Sequence, residues 1–286
     1  MRVLGGSSRL RRMSRWQSTE IGAALVVGIC LVALLAPDIS PRSPYEIDLA
    51  HRFARIGARG HILGTDNLGH DLLAHLSWGA RPSLVIAFVP VMVGMAVGSG
   101  LGGAAGYLRG RPEVMIMRSL DILFALPPVL LAIALAAILG PGLWNIVIAL
   151  SVVLVPPMAR VVYQQVVSLR SMLFVESARS IGATDARIFV RHIFPNAMSP
   201  MLAYGASVAA LSIVLGAGLS FVGLGIQPPQ ADWGRTINAG RQVLTSAPQV
   251  ATLPGVGIFV LSLGFNLIAD GLRSPYGTRR AAVSRL

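Results

Sequence analysis

Residues 21–36, 82–108, 122–159, 193–231 and 242–269 contain no charged side chain. Crossing a hydrocarbon layer of ~30 Å takes about 20 apolar residues at a helical rise of ~1.5 Å each. Four of the runs meet that length, and residues 21–36 approach it between Glu20 and the Pro37-Asp38 pair. The run at 122–159 is too long for one span, and Gly140-Pro141-Gly142 divides it into two helices around a tight turn. In the fifth span Pro200 is expected to open the helix, with Gly223-Leu224-Gly225 and Pro228-Pro229 closing it. The sixth is expected to begin near Pro254, after an approach containing Pro248. The expectation is an all-α membrane protein of six transmembrane helices. Only 13% of the residues are charged and 54% are hydrophobic, against about 25% charge in a soluble domain. So little charge cannot coat a water-facing surface, which sets aside soluble-enzyme and disordered readings.

The formal charge is +12, and every basic residue is Arg. Without Lys the chain holds neither a P-loop lysine nor a Schiff-base lysine, so it is not itself a P-loop ATPase. The single cysteine, Cys30, excludes an internal disulfide and any multi-cysteine metal cluster. The arginines instead report topology. With the N-terminus inside, Arg2, Arg9, Arg11, Arg12, Arg15, Arg109, Arg111, Arg118, Arg160, Arg170, Arg179, Arg187, Arg191, Arg273, Arg279, Arg280 and Arg285 face the cytoplasm. Only Arg42, Arg52, Arg55, Arg59, Arg81, Arg235 and Arg241 fall outside. The positive-inside rule therefore puts both termini in the cytoplasm. The basic excess is a topology signal and not a nucleic-acid footprint. The first run follows an Arg-rich lead as a signal peptide does, but Ala33-Leu34-Leu35-Ala36 lacks the A-x-A spacing, so an uncleaved anchor is expected.

Within the spans, Gly94, Gly98, Gly102 and Gly106 recur every four residues on one helical face, where bare backbone admits a neighbouring helix. Pro127-Pro128 and Pro156-Pro157 are expected to kink the third and fourth spans. Arg118 and Asp121, three apart at a helix edge, are expected to pair. No chain of buried acids exists to relay protons, which argues against a proton-driven carrier. The five histidines lie outside the six helices, so Ser151, Ser212 and Ser262 have no base and read as packing hydroxyls, not as an intramembrane active site.

The segment between the fourth and fifth spans carries the most information. Phe174, Ala178 and Ile181 recur at i, i+4 and i+7 and mark a short amphipathic helix. Gly182 suits its C′ position, Thr184 the next cap and Asp185 the following first turn. Ile188, Phe189, His192 and Ile193 give the second helix an apolar face, and Pro195 is expected to end it. Two short helices around a glycine turn, apolar on one side and outside the membrane, call for a partner protein; a loop folded back onto its own spans is the alternative.

These residues resemble a known family. Glu176-Ser177-Ala178, Gly182, Ile193 and Pro195 are similar to the EAA loop of type I ABC importer permeases. His61-Ile62-Leu63-Gly64-Thr65-Asp66-Asn67-Leu68-Gly69, Asp121-Ile122-Leu123-Phe124-Ala125-Leu126-Pro127, Leu219-Ser220-Phe221-Val222-Gly223-Leu224-Gly225-Ile226-Gln227-Pro228-Pro229 with Trp233-Gly234, and Phe265-Asn266-Leu267 with Asp270-Gly271-Leu272-Arg273 look like the dipeptide/oligopeptide/nickel permease family, C-type subunit. The resemblance covers about residues 15 to 275. It implies a type I importer (MetI-like) permease fold over residues 81–272, with the coupling loop at 165–196, preceded by a first helix and extracytoplasmic segment at 1–80 and followed by a cytoplasmic tail at 273–286.

The implied function is import of short peptides across a bacterial cytoplasmic membrane by alternating access, with nickel chelates, glutathione or another small solute as the alternative cargo. The implied partners are a second, non-identical permease, two ATPase subunits or one fused chain, and an extracytoplasmic solute-binding protein that holds most of the selectivity. ATP and Mg would be bound by the ATPase; this chain would be non-catalytic and carry no cofactor. Glu176 would make polar contacts to the ATPase, Ala178 would allow its close approach, and Gly182 would turn the chain. Ser177 stands where the family usually has Ala. His70-Asp71 and Ala74-His75 stand where it has Arg-Asp and Ser-Arg, which removes two fixed charges. His61, His70 and His75 invite a metal reading, but their spacing specifies no ligand geometry.

Overall fold

The computed structural model describes residues 6–40, 42–58 and 60–273, with side chains described from residue 17 onward. Arg2, Arg9, Arg11, Arg12, Arg15, Arg59 and the tail arginines Arg279, Arg280 and Arg285, which the topology argument used, lie outside the described residues or side chains. Among the described residues the chain is helical with no strand. The helices are α1 (Gly6–Leu34), α2 (Ala36–Ile39), α3 (Leu72–Leu108), α4 (Arg111–Phe124), α5 (Pro128–Leu139), α6 (Leu143–Arg170), α7 (Leu173–Ser180), α8 (Asp185–Ile188), α9 (Phe194–Phe221), α10 (Trp233–Arg241) and α11 (Gln249–Leu272).

Five of these (α1, α3, α6, α9 and α11) are long and apolar enough to cross a membrane alone. A sixth crossing, third in chain order, is available only if the bent pair α4 and α5 counts as one broken span. α4 and α5 meet at an 83° bend, and only together do they have the length and composition of a span. The expected kink at Pro127-Pro128 is therefore a break, because Pro128 starts a new helix and Pro127 holds ψ at 131°. α4 is pinned to α6 by side chains. Arg160 donates to Asp121 at 2.6 Å and lies 4.4 Å over the Phe124 ring, and the Tyr163 hydroxyl donates to Glu113 at 2.5 Å. Asp121 thus pairs across helices with Arg160, not along its own helix with Arg118 as the spacing suggested. Two prolines depart from expectation by lying inside helices they were expected to open, Pro200 within α9 and Pro254 within α11, while Pro156-Pro157 lie within α6. Each removes one backbone bond, and packing on neighbouring helices holds the segment helical regardless.

The glycine ladder sets the central packing. α3 lies against α6 with Gly94 facing Leu154, Gly98 facing Met158, Gly102 facing the Ala159 carbonyl and Gly106 facing Val166. A Cβ built at Gly98 would stand 2.7 Å from the Met158 Cβ, so the two backbones are in direct contact. A second glycine contact, between Gly22 of α1 and Gly264 of α11, escaped the sequence because neither residue belongs to a repeat; a Cβ at Gly22 would lie 2.6 Å from the Gly264 carbonyl oxygen. The serines act as packing hydroxyls: Ser212 donates to the Ile86 carbonyl at 2.6 Å and Ser151 to Val147 at 2.6 Å. Gly140-Pro141-Gly142 forms the turn between α5 and α6. Asn145 Nδ2 donates to the Leu139 and Gly140 carbonyls at 2.9 and 3.0 Å and closes it.

These contacts orient the bundle. Tyr107, at the end of α3, touches Asp185, whereas Val250, in the first turn of α11, packs on Leu72 at the start of α3; Arg273, past α11, donates to Ser207 midway along α9. At the opposite end Arg81 donates to the Ala33 carbonyl of α1, and Trp233 of α10 donates to the Leu76 carbonyl of α3. α1 therefore starts, and α11 finishes, at the end that carries α7 and α8.

Candidate functional site

Functional side chains gather at both ends of α3. His75 and Tyr107 lie 32 residues apart on this helix, or about 48 Å if it runs straight.

At the Tyr107 end, α7 leaves α6 through Ser171 and Met172. It terminates in a Schellman motif: the Gly182 N–H donates to the Arg179 carbonyl at 3.0 Å and the Ala183 N–H to the Ala178 carbonyl at 3.1 Å, with Gly182 at φ +82°. Thr184 then caps α8 by accepting from the Arg187 N–H at 3.4 Å. The expected break at Pro195 does not occur. The five residues Phe189–Ile193 form a π-helix that runs into α9, and Pro195 sits in the first turn of α9. There its missing N–H costs little, because the donors of a first turn have few intrahelical partners.

The inward face also differs from the expected one. Val175 and Ala178 of α7, with Ile188 and Ile193, pack on Val162 and Val166 of α6 and Met201 of α9. Phe174 and Ile181 stay exposed, because α7 stops at Ser180 and Ile181 has left the helical register. Part of the loop is thus folded onto its own spans. Ala178 and Ile193 face that interior. Glu176, Ser177, Gly182 and Pro195 face outward, and the Ser177 hydroxyl donates to the Leu173 carbonyl at 2.9 Å. The large apolar side chains left most open are Leu173, 80% exposed, Ile181, 86%, and Val190, 65%.

A polar network holds this element to α3, and no local spacing could have shown it. The Tyr107 hydroxyl donates to Asp185 Oδ1 at 2.5 Å, Arg179 pairs with the same oxygen at 3.3 Å, and Arg170 donates to the Tyr107 carbonyl at 2.5 Å. The ends of α3 and α6 and the start of α8 are thereby linked.

At the other end, a polar cavity of about 310 Å³ is lined by Asp66, His70, His75, Asp232, Arg235, Asn238 and neighbours. Asp232 caps α10 by accepting from the Arg235 N–H at 3.0 Å. Burial pushes the Asp232 carboxyl above its ordinary pKa against the pull of its hydrogen bonds. Burial acts the same way on Asp66 but loses: the His70 ring and the Leu68 and His70 amides hold this carboxyl below the ordinary range. The three histidines singled out in the sequence do not form one group. His61 lies with Asp71 (3.1 Å) and Arg42 (3.1 Å), whereas His70 and His75 stack with ring centroids 4.8 Å apart beside Asp66.

A third feature is an apolar cleft of about 180 Å³ between the α4–α5 break, α6 and α9, with Pro156 and Pro157 in its wall.

Comparison with known proteins adds a family. Residues 98–274 match the family model described as binding-protein-dependent transport system inner membrane component. The glutathione transport system permease protein GsiD of Pectobacterium atrosepticum is 41% identical over 233 residues, which is 80% of this chain and 77% of that protein. A putative peptide transport system permease protein of Brucella abortus biovar 1 is 39% identical over 269 residues, covering 94% of this chain and 90% of that protein. Among solved structures, the MetNI methionine ABC transporter in inward-facing conformations aligns with a TM-score of 0.52 at 17% identity, over 69% of this chain and 96% of that one, a likeness of fold.

Proposed function

This chain belongs to the family of binding-protein-dependent transport system inner membrane components, and we propose that it imports short peptides, with residues 173–193 as the lever through which a separate ATPase drives it. As a family member it is a multi-pass protein of the cytoplasmic membrane and a non-catalytic ABC importer component. Such a component works with an ATPase and a solute-binding protein. The finer assembly proposed here is a second, non-identical permease and two ATPase sites, on separate chains or one fused chain, which bind the ATP and Mg. Both termini and the lever lie in the cytoplasm, and the polar cavity faces outward.

One observation carries the lever: an ordered element fixed to α3, α6 and α9 that still presents Leu173, Ile181 and Val190 to water. Apolar side chains clustered on a rigid projection mark a docking surface. A partner gripping it pulls on three spans at once, because the element is continuous with α6 and, through the π-helix, with α9. Rocking those spans against a second permease alternates access across the membrane, provided the partner's contacts differ between its ATP-bound and free states. The apolar cleft beside the broken span is proposed to contribute to the wall shared with the second permease. Glutathione is the alternative cargo, since a relative transports it.

Glu176→Ala and Gly182→Val in the assembled transporter test the reading. At Gly182 the φ of +82° penalises any β-branched residue, whereas Asn adopts it at small cost. Gly182→Val is expected to leave membrane insertion intact and break the link between ATP hydrolysis and uptake, with Gly182→Asn retaining much of it. Normal uptake in both Glu176→Ala and Gly182→Val would contradict the lever.

A further inference from the structure

We infer that Asp66, His70 and His75 form a binding site for a divalent transition-metal cation, of the zinc, nickel or cobalt kind, at the cavity end of α3. Their candidate ligand atoms all lie within 4.8 Å of one another. The decisive group is His75, only 8% exposed. Its Nε2 is 2.9 Å from the Pro44 carbonyl oxygen, which can only accept. Nε2 therefore carries the proton, and Nδ1 is left as a bare lone pair. That Nδ1 is buried with no hydrogen-bond partner. A carbonyl acceptor behind one imidazole nitrogen and a free lone pair on the other is how proteins orient a histidine ligand.

Asp66 is oriented in the same way. Its Oδ1 accepts the Leu68 and His70 amides at 2.8 and 2.9 Å, and its Oδ2 is hydrogen-bonded to His70 Nδ1 at 2.8 Å, so a cation between them would take the place of the shared proton. That separation is close to the roughly 3 Å between adjacent ligands on a cation with bonds of about 2.1 Å. Such a cation bridges at most about 4.2 Å, so binding draws the outermost pair together by a few tenths of an ångström. Two imidazoles and one carboxylate favour transition metals over Mg²⁺ or Ca²⁺, which prefer all-oxygen shells. Asp232 and Arg235 line the same cavity.

The neighbouring trio of Asp48, His51 and His61 does not share this chemistry. Arg42 donates to His61 Nε2 at 3.1 Å, so His61 Nδ1 carries the proton and donates to Asp71, and neither nitrogen is free. In the bound state the cation would tie the segment preceding α3 to α3 itself, with its remaining positions open to the cavity.

The test is Zn²⁺ binding to the purified, metal-stripped complete transporter, measured by equilibrium dialysis with Mg²⁺ as control. One equivalent is expected per copy of this chain. His75→Ala and Asp66→Asn are expected to weaken it at least about tenfold, while His51→Ala leaves it unchanged. Co²⁺ absorption and X-ray absorption of the parent protein provide a readout independent of whether the variants fold, and should show two imidazole ligands. Absence of Zn²⁺ binding, binding unaffected by His75→Ala, loss with His51→Ala, or a Co²⁺ spectrum without imidazole ligands would each overturn the site. None of these readouts involves transport, so the site and the peptide-import reading stand or fall separately.

Discussion

Gly102 shows how closely single residues are constrained. An added Cβ would run into the Ala159 carbonyl, a backbone atom that cannot rotate aside, whereas a Cβ at Gly100, two residues earlier, would meet nothing within 4 Å. Gly102→Ala should therefore destabilise by about 1–3 kcal/mol, the usual range for overpacking a tight contact, and Gly100→Ala by little. Apparent unfolding midpoints in detergent would compare them; equal shifts would refute the contact. The four-residue spacing of Gly94, Gly98, Gly102 and Gly106 made this face visible in the sequence. The sequence did not name its partner, because Leu154, Met158, Ala159 and Val166 are distant in the chain, and the four-residue register of Leu154, Met158 and Val166 marks a helix face without saying what it meets. Asp121 teaches the same lesson: Arg118 was near in sequence, and Arg160 is near in space.

Among the elements, the lever is continuous with α6 and α9 and tied to α3 through Tyr107. Its capping chemistry was legible, since Gly182 and Thr184 allow few other local structures. Its facing was not. Which residues turn inward depends on Val162, Val166 and Met201, and on α7 stopping one residue short of Ile181. The same holds for prolines: Pro128 opens a helix, but Pro200 and Pro254 are absorbed within one, and local rules cannot tell these cases apart. The network around Asp185 gives this scale its prediction. Tyr107→Phe removes the hydroxyl that reaches Asp185 from α3. An exposed hydrogen bond of this kind is worth about 1 kcal/mol, so amide hydrogen exchange over residues 173–188 should quicken several-fold while the spans stay protected. Unchanged exchange would mean that α3 does not hold the lever.

The whole molecule is a bundle whose two ends carry different chemistry. α3 connects them, and about 48 Å of helix between His75 and Tyr107 exceeds the ~40–45 Å of a bilayer with its headgroups. One end holds the polar cavity with the Asp66, His70 and His75 cluster; the other holds an apolar lever tied to the ends of α3 and α6. The number of spans and the position of the lever could be read from uncharged runs and turn residues. The broken third span and the grouping of the histidines depended on tertiary contacts. The central claim is that the lever is gripped from the cytoplasm by an ATPase. A photo-crosslinking residue placed at Ile181, 86% exposed at the tip of the lever, tests it most directly in membranes containing the whole transporter. The account predicts a crosslink to the ATPase whose yield changes when ATP is added. A crosslink to lipid or to an extracytoplasmic protein, with none to the ATPase, would contradict it.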